Sequence, residues 1–188
     1  MSYLNSHHEE LQRSVCDKFV LCGFVTASNG YEFNPSLLPL KNIVNDSTTM
    51  IIRTEPDTIV YNKKLSFLLE FKTGTSPYKI NIEALPLIHH EILATKLNVQ
   101  TIYFCKIPNK DFVFCSSDLP RISSITIPCN KVYPCKKEME QWAIEKGIPV
   151  NTGSFDRQYG SGDPFITITY KECAIKPTIN EFISKSIM

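Results

Sequence analysis

The sequence lacks an excess of charge of either sign. Its 188 residues carry 20 Lys or Arg against 19 Asp or Glu, a net charge of +1 with neutral histidines. No broad basic field announces nucleic acid, so any such binding must come from a local patch. That argues against a tight, sequence-reading DNA binder and is compatible with an enzyme that needs only transient phosphate contacts. Long apolar runs are also missing: none reaches the roughly 18 residues of a membrane span. The first stretch, MSYLNSHHEELQRS, is polar and has no signal-peptide core. The seven cysteines are an odd number with no C-x-x-C pair, which excludes a zinc ribbon and argues for reduced thiols in the cytoplasm. There is no internal repeat and no low-complexity segment. What remains is an ordinary globular composition, 43% hydrophobic and 21% charged, long enough for one sizeable core.

The chemistry concentrates in Arg53 to Ser76, RTEPDTIVYNKKLSFLLEFKTGTS. Leu65–Lys72 is apolar and aromatic and reads as a strand. Alternation puts Glu70 and Lys72 on one face and Leu65, Phe67, Leu69 and Phe71 on the other, toward a core. An acid and a lysine on an otherwise apolar strand need a reason, because unpaired buried charge costs several kcal/mol. Asn62-Lys63-Lys64 reads as a hairpin turn. It would fold Thr58–Tyr61 antiparallel to the strand and leave Asp57, preceded by Pro56, beside Glu70. Two carboxylates and an ammonium at such a mouth suit Mg2+ or Mn2+, which take oxygen ligands. The carbonyl of Phe71 could be a further ligand. Lys72 could orient or deprotonate an attacking water, or stabilise developing charge.

The rest of the chain supplies helices and strands around this hairpin. Residues 3–22 read as a helix with Leu4, Leu11 and Val15 as a stripe. His7 and His8 lie on that stripe, and Glu9 and Glu10 lie off it. A histidine there is either a packed helix residue or a metal ligand, and Glu10 competes for the ligand role. Phe24 to Asp46 reads as irregular, with a turn at Asn29-Gly30, and Thr48–Arg53 as extended. Glu32 and Asp46 are the acids in that region. After a loop at residues 73–77, a helix is expected over Glu83–Leu97, buried through Leu85, Ile88 and Ile92. His89 and His90 point about 100° apart on it and read as surface or core-edge residues. Lys79 and Lys96 flank the helix. Val99–Ile107 and Asp111–Ser116 read as strands, Ile122–Ile127 as a further strand, and Lys136–Lys146 as an amphipathic helix with Trp142, stopped by Gly147. Residues 151–164 read as a Gly-rich mobile loop, Phe165–Tyr170 as a strand and Thr178–Ile187 as a helix. A chain that stops inside a helix suggests a fragment of something longer. The class is α+β.

Asp57, Glu70 and Lys72, with Pro56, resemble the signature positions of the PD-(D/E)XK nuclease superfamily. The likeness covers about twenty residues and implies a restriction-endonuclease-like core, a mixed sheet flanked by helices. It implies a nuclease core over residues 1–150, with the loop, strand and helix of 151–188 packed on the same domain. His8, followed by Glu9, Arg13 and Cys16 and standing 49 residues before Asp57, is similar to the histidine segment of cap-snatching endonucleases in bunyavirus-type polymerases. That resemblance implies Mn2+ or Mg2+ held by His8, Asp57, Glu70 and Phe71, with Lys72 catalytic. It implies a single-stranded RNA substrate, cap-snatching within a larger polymerase chain, and a host-cytoplasmic location. The residues depart from this subgroup at Glu70, at Thr58-Ile59 and at a missing glycine between His8 and Cys16. Glu10 in the ligand role would point instead to DNA nucleases of the restriction or junction-resolving type. A third reading is a binding module with a decayed nuclease fold.

Overall fold

The computed structural model describes residues 3–28, 55–129, 135–153, 163–170 and 177–186. In chain order the elements are α1 (Tyr3–Leu21), β1 (Val25–Ser28), β2 (Thr58–Tyr61), β3 (Ser66–Thr73), β4 (Lys79–Glu83), α2 (Ala84–Leu97), β5 (Thr101–Ile107), β6 (Lys110–Cys115), β7 (Ile122–Pro128), α3 (Lys136–Glu145), β8 (Val150–Gly153), β9 (Phe165–Thr169) and α4 (Ile179–Ser186). The α+β class, with mixed sheet flanked by helices, is present. The strands form two sheets, of order β1-β2-β3-β5-β6 and β4-β9-β7-β8. Both are mixed: β3 and β5 run parallel in the first, β7 and β8 in the second, and the other pairs are antiparallel.

The central strands of the five-stranded sheet, β3 and β5, are buried on both faces, and the two faces differ in chemistry. Leu69 and Phe71 of β3, with Phe104 of β5, face an aromatic-rich cluster with Leu11, Val15 and Phe19 of α1 and Ile179 and Ile183 of α4. Tyr103, Cys105 and Ile107 of β5 face the other cluster. There β4, β7 and β9 contribute isoleucines and α2 contributes Leu87 and Ile88. Alternation along each strand separates the two sets. Each fully buried Leu, Val or Phe contributes about 1.5–3 kcal/mol. Three of them on α1 therefore fix that helix against β3, and His8, one turn before Leu11, is carried to the strand with it. The helix stops at Gly23, whose φ of +83° is the left-handed conformation of a helix C-cap. There the Phe24 amide donates back to the Phe19 carbonyl.

The β2–β3 hairpin forms as the turn chemistry implies. The side-chain carbonyl of Asn62 accepts from the amides of Lys64 and Leu65, and Thr58 pairs with Leu69. Several other expectations are corrected. Leu65 precedes the strand and is exposed. Lys79–Glu83, between the expected loop at 73–77 and a helix expected to begin at Glu83, is a strand, and the helix starts one residue after Glu83. Ile92 is exposed and Leu85 only partly buried. The buried face of α2 is instead Ala84, Leu87, Ile88, His90 and Ala94, because the helix packs against β4 and α3 on a face rotated from that stripe. Four residues within the region expected to be irregular form β1, and Val150–Gly153 forms β8 where a loop was expected. Both are short, mostly exposed strands whose pairing comes from a distant neighbour. Asn29-Gly30, Glu32, Asp46 and the stretch 48–53 lie outside the described residues. Among the described residues no helix is long and apolar enough to cross a membrane. No disulfide joins any two of the six described cysteines.

Candidate active site

Antiparallel pairing of β2 with β3 sets Asp57 opposite Glu70 at the open end of the hairpin. Two hydrogen bonds fix it there. The Phe71 amide donates to Asp57 Oδ2 at 2.9 Å, and the Asp57 amide donates to Glu70 Oε2 at 3.3 Å. Gln12 of α1 donates to Thr58 Oγ1 at 2.9 Å, tying the helix to the same strand. His8, four residues earlier on the same helical face, places Nε2 2.9 Å from the Phe71 carbonyl oxygen and 3.7 Å from Asp57 Oδ2. The imidazole N–H therefore stands between two oxygens that a hard cation would take.

Glu70 and Lys72 project to the opposite face of β3 from Leu69 and Phe71. Lys72 Nζ lies 2.9 Å from Glu70 Oε1 and 2.7 Å from Glu83 Oε2. The Glu70 side chain is 6% exposed, that of Lys72 18% and that of Glu83 46%. Burial is the main influence on Glu70. Together with the charges of Asp57 and Glu83, it pushes the carboxyl up from 4.5 to about 7 against the pull of Lys72. Burial alone would lower the Lys72 ammonium, but Glu70, Glu83 and Asp57 outweigh it and hold the lysine well above 10.5. The Asp57 carboxylate likewise raises His8 above 6.5, partly offset by burial. In this form Lys72 is a proton-bearing donor and not a base.

Asp57, Glu70, Lys72, His8 and the Phe71 carbonyl thus come together. Glu10 does not join them; it pairs with His7 at 3.6 Å. Lys96 is exposed, as is Lys79. His90 is fully buried, with Nδ1 2.6 Å from the Tyr103 hydroxyl. His89 leaves Nδ1 buried without a hydrogen-bond partner, and burial lowers its pKa. Neither belongs to the carboxylate cluster.

The donor set is two carboxylates, an imidazole and a backbone carbonyl, which fits Mg2+ or Mn2+. Among the described residues, no three His, Cys, Asp or Glu side chains are gathered closely enough to hold an ion. Asp57 is engaged by the Phe71 amide and Glu70 by Lys72, while His8 donates to the carbonyl.

Comparison with protein-family models returns no match, and neither does comparison with curated proteins. Ten solved chains are similar to this one, among them Hjc, a Holliday junction resolvase from the archaeal hyperthermophile Archaeoglobus fulgidus. The likeness covers 95% of this chain and 96% of that chain, with 10% sequence identity and a TM-score of 0.48.

Glu83 is the site residue that sequence reasoning missed. It ends β4, a strand whose alternating Lys-Ile-Asn-Ile-Glu pattern was its signal. Pro77 just before it, and the helix just after it, hid the pattern. The backbone of Glu83 is held on both sides, by the β4–β9 ladder opposite Phe165 and by the Ala84 amide donating to the Pro164 carbonyl.

Proposed function

We propose that this protein is a divalent-metal-dependent endonuclease that hydrolyses phosphodiester bonds. The observation that carries the reading is a charge imbalance. Lys72 is gripped by Glu70 and Glu83, and Asp57 stands beside Glu70 with its carboxylate on the Phe71 amide, so carboxyl groups outnumber the lysine at the site. A divalent cation balances that surplus, and a structural ion pair would not need it. Asp57, Glu70 and the Phe71 carbonyl would hold Mg2+ or Mn2+, with His8 as a fourth donor once Nε2 is deprotonated. A bound metal of this kind polarises a phosphate and lowers the pKa of an attacking water. Lys72, kept protonated by its acids, donates to the phosphate oxygen on which charge develops. Asp57 is aimed by the Phe71 amide and His8 by the docking of α1, so the donors approach from fixed backbone.

Incubation with Mn2+ and either single-stranded RNA or duplex and branched DNA tests the reading. Cleavage is expected, together with a rise in melting temperature on adding Mn2+, about 2.7 kcal/mol at a hundred times Kd. Asp57→Ala should lose cleavage by at least about a hundredfold and abolish the melting rise. Absence of cleavage on every substrate, or equal cleavage by the variant, overturns it. The finer reading, single-stranded RNA cut to make capped primers within a viral polymerase, rests on His8 standing at the site while Glu10 pairs with His7. Hjc is a junction resolvase by name, which keeps DNA in the assay as the competing substrate. Cleavage of DNA and not RNA replaces the finer reading and leaves the nuclease reading intact.

A further inference from the structure

The site has one contact that the motif does not call for, the carboxylate of Glu83 on Lys72. Glu83 comes from the other sheet, at the N-cap position of α2. A side chain there normally accepts from the first helical amides, but Glu83 makes no side-chain cap bond. It reaches Lys72 Nζ at 2.7 Å instead, the shorter of the two carboxylate contacts on that ammonium. Its backbone is anchored by the β4–β9 ladder and by the Ala84 amide. It is also the more exposed of the two acids, so its contact does not compete with packing.

A metal drawing on Glu70 Oε1 competes with Lys72 for the same oxygen. Metal binding there weakens one of the two anchors of Lys72. We infer that Glu83 is a positioning residue. It holds the Lys72 ammonium over the site while the Glu70 carboxylate is engaged elsewhere, so the second sheet sets the direction in which the lysine donates. This rests on the nuclease reading for its catalytic consequence, but the placement of Lys72 is measurable without it.

The test is Glu83→Gln, with Glu83→Asp as the conservative variant. The full chain is treated with an amine-acylating reagent, with and without Mn2+, and Lys72 modification is followed by peptide mass spectrometry. Lys72 in Glu83→Gln is expected to react at least about fivefold faster than wild type in Mn2+, because its remaining anchor is withdrawn. In steady-state cleavage kcat should fall about tenfold to a hundredfold with KM little changed, and Glu83→Asp should recover part of it. The melting rise with Mn2+ should persist in Glu83→Gln. Loss of that rise overturns the inference, since Glu83 would then be a metal ligand. Unchanged Lys72 reactivity also overturns it, even if no substrate is cleaved. If wild type neither cleaves nor responds to Mn2+, the nuclease reading fails, and Lys72 reactivity in the metal-free protein still decides whether Glu83 places the lysine.

Discussion

Two glutamates grip one lysine here, and they do so from different environments. Glu70 sits inside the five-stranded sheet, almost sealed from solvent, and burial raises its carboxyl to about 7. Glu83 sits at the end of an edge strand of the second sheet, with nearly half its side chain in water. The first contact is a buried ion pair, where desolvation competes with attraction. The second is close to a surface pair, whose net contribution is small whatever its length. A short distance therefore does not rank the two acids for stability. The buried one governs folding energetics, and the exposed one governs where the ammonium points.

The largest effect should come from removing the shared cation. Lys72→Met leaves Glu70 buried beside Asp57 and Glu83, and should destabilise the metal-free protein by about 3–5 kcal/mol. The loss should be greater at pH 8 than at pH 5, where Glu70 can take up a proton. Urea melts at the two pH values check this, and a loss independent of pH would show that the carboxyl is not under strain.

The next effect is a pH slope. The folded form keeps the Glu70 proton up to about pH 7, whereas the unfolded chain gives it up near 4.5. Folded protein binds more protons in that window, so metal-free stability should fall as pH rises through it. His8 acts in the same direction. Its raised folded value gives stability that is full below 6.5 and lost as pH climbs through that value. Glu70→Gln should flatten the profile of melting temperature up to about pH 7 and leave the part above it.

A smaller effect sharpens the comparison from the same face of the sheet. Tyr103 pairs in register with Glu70, yet its hydroxyl is committed to His90. Tyr103→Phe should leave His90 Nδ1 without that partner and cost about 1–3 kcal/mol, with the Mn2+ melting response retained. Glu83→Gln should change unfolding free energy least, by less than about 1 kcal/mol. A drop as large as that of Lys72→Met would erase the distinction between the two acids.

How much of this was legible depended on how far apart the interacting residues lie. Asp57, Glu70 and Lys72 were readable because one turn and one alternating strand bring them together, and both are local rules. His8 was readable as a position on a helical stripe, since the apolar docking of Leu11, Val15 and Phe19 carries it to β3. Glu83 was not, because its role depends on β4 lying beside β3, which no local pattern states. The burial of His90 was hidden for the same reason. Its partner, Tyr103, stands on a strand that follows the helix. The two-sheet division was missed because β1 and β8 are four-residue strands whose partners are supplied by distant chain.

The parallel pairing of β3 with β5 carries one more consequence. A parallel neighbour cannot be reached by a tight turn, and here β4 and α2 fill the crossover. The gathered groups come from four stretches of chain, and the hairpin that carries most of them is seated in its sheet only after that long loop has closed, an entropically slow event. Compaction should run ahead of competence: on dilution from denaturant, helical ellipticity should recover first and Mn2+ response only in the last phase.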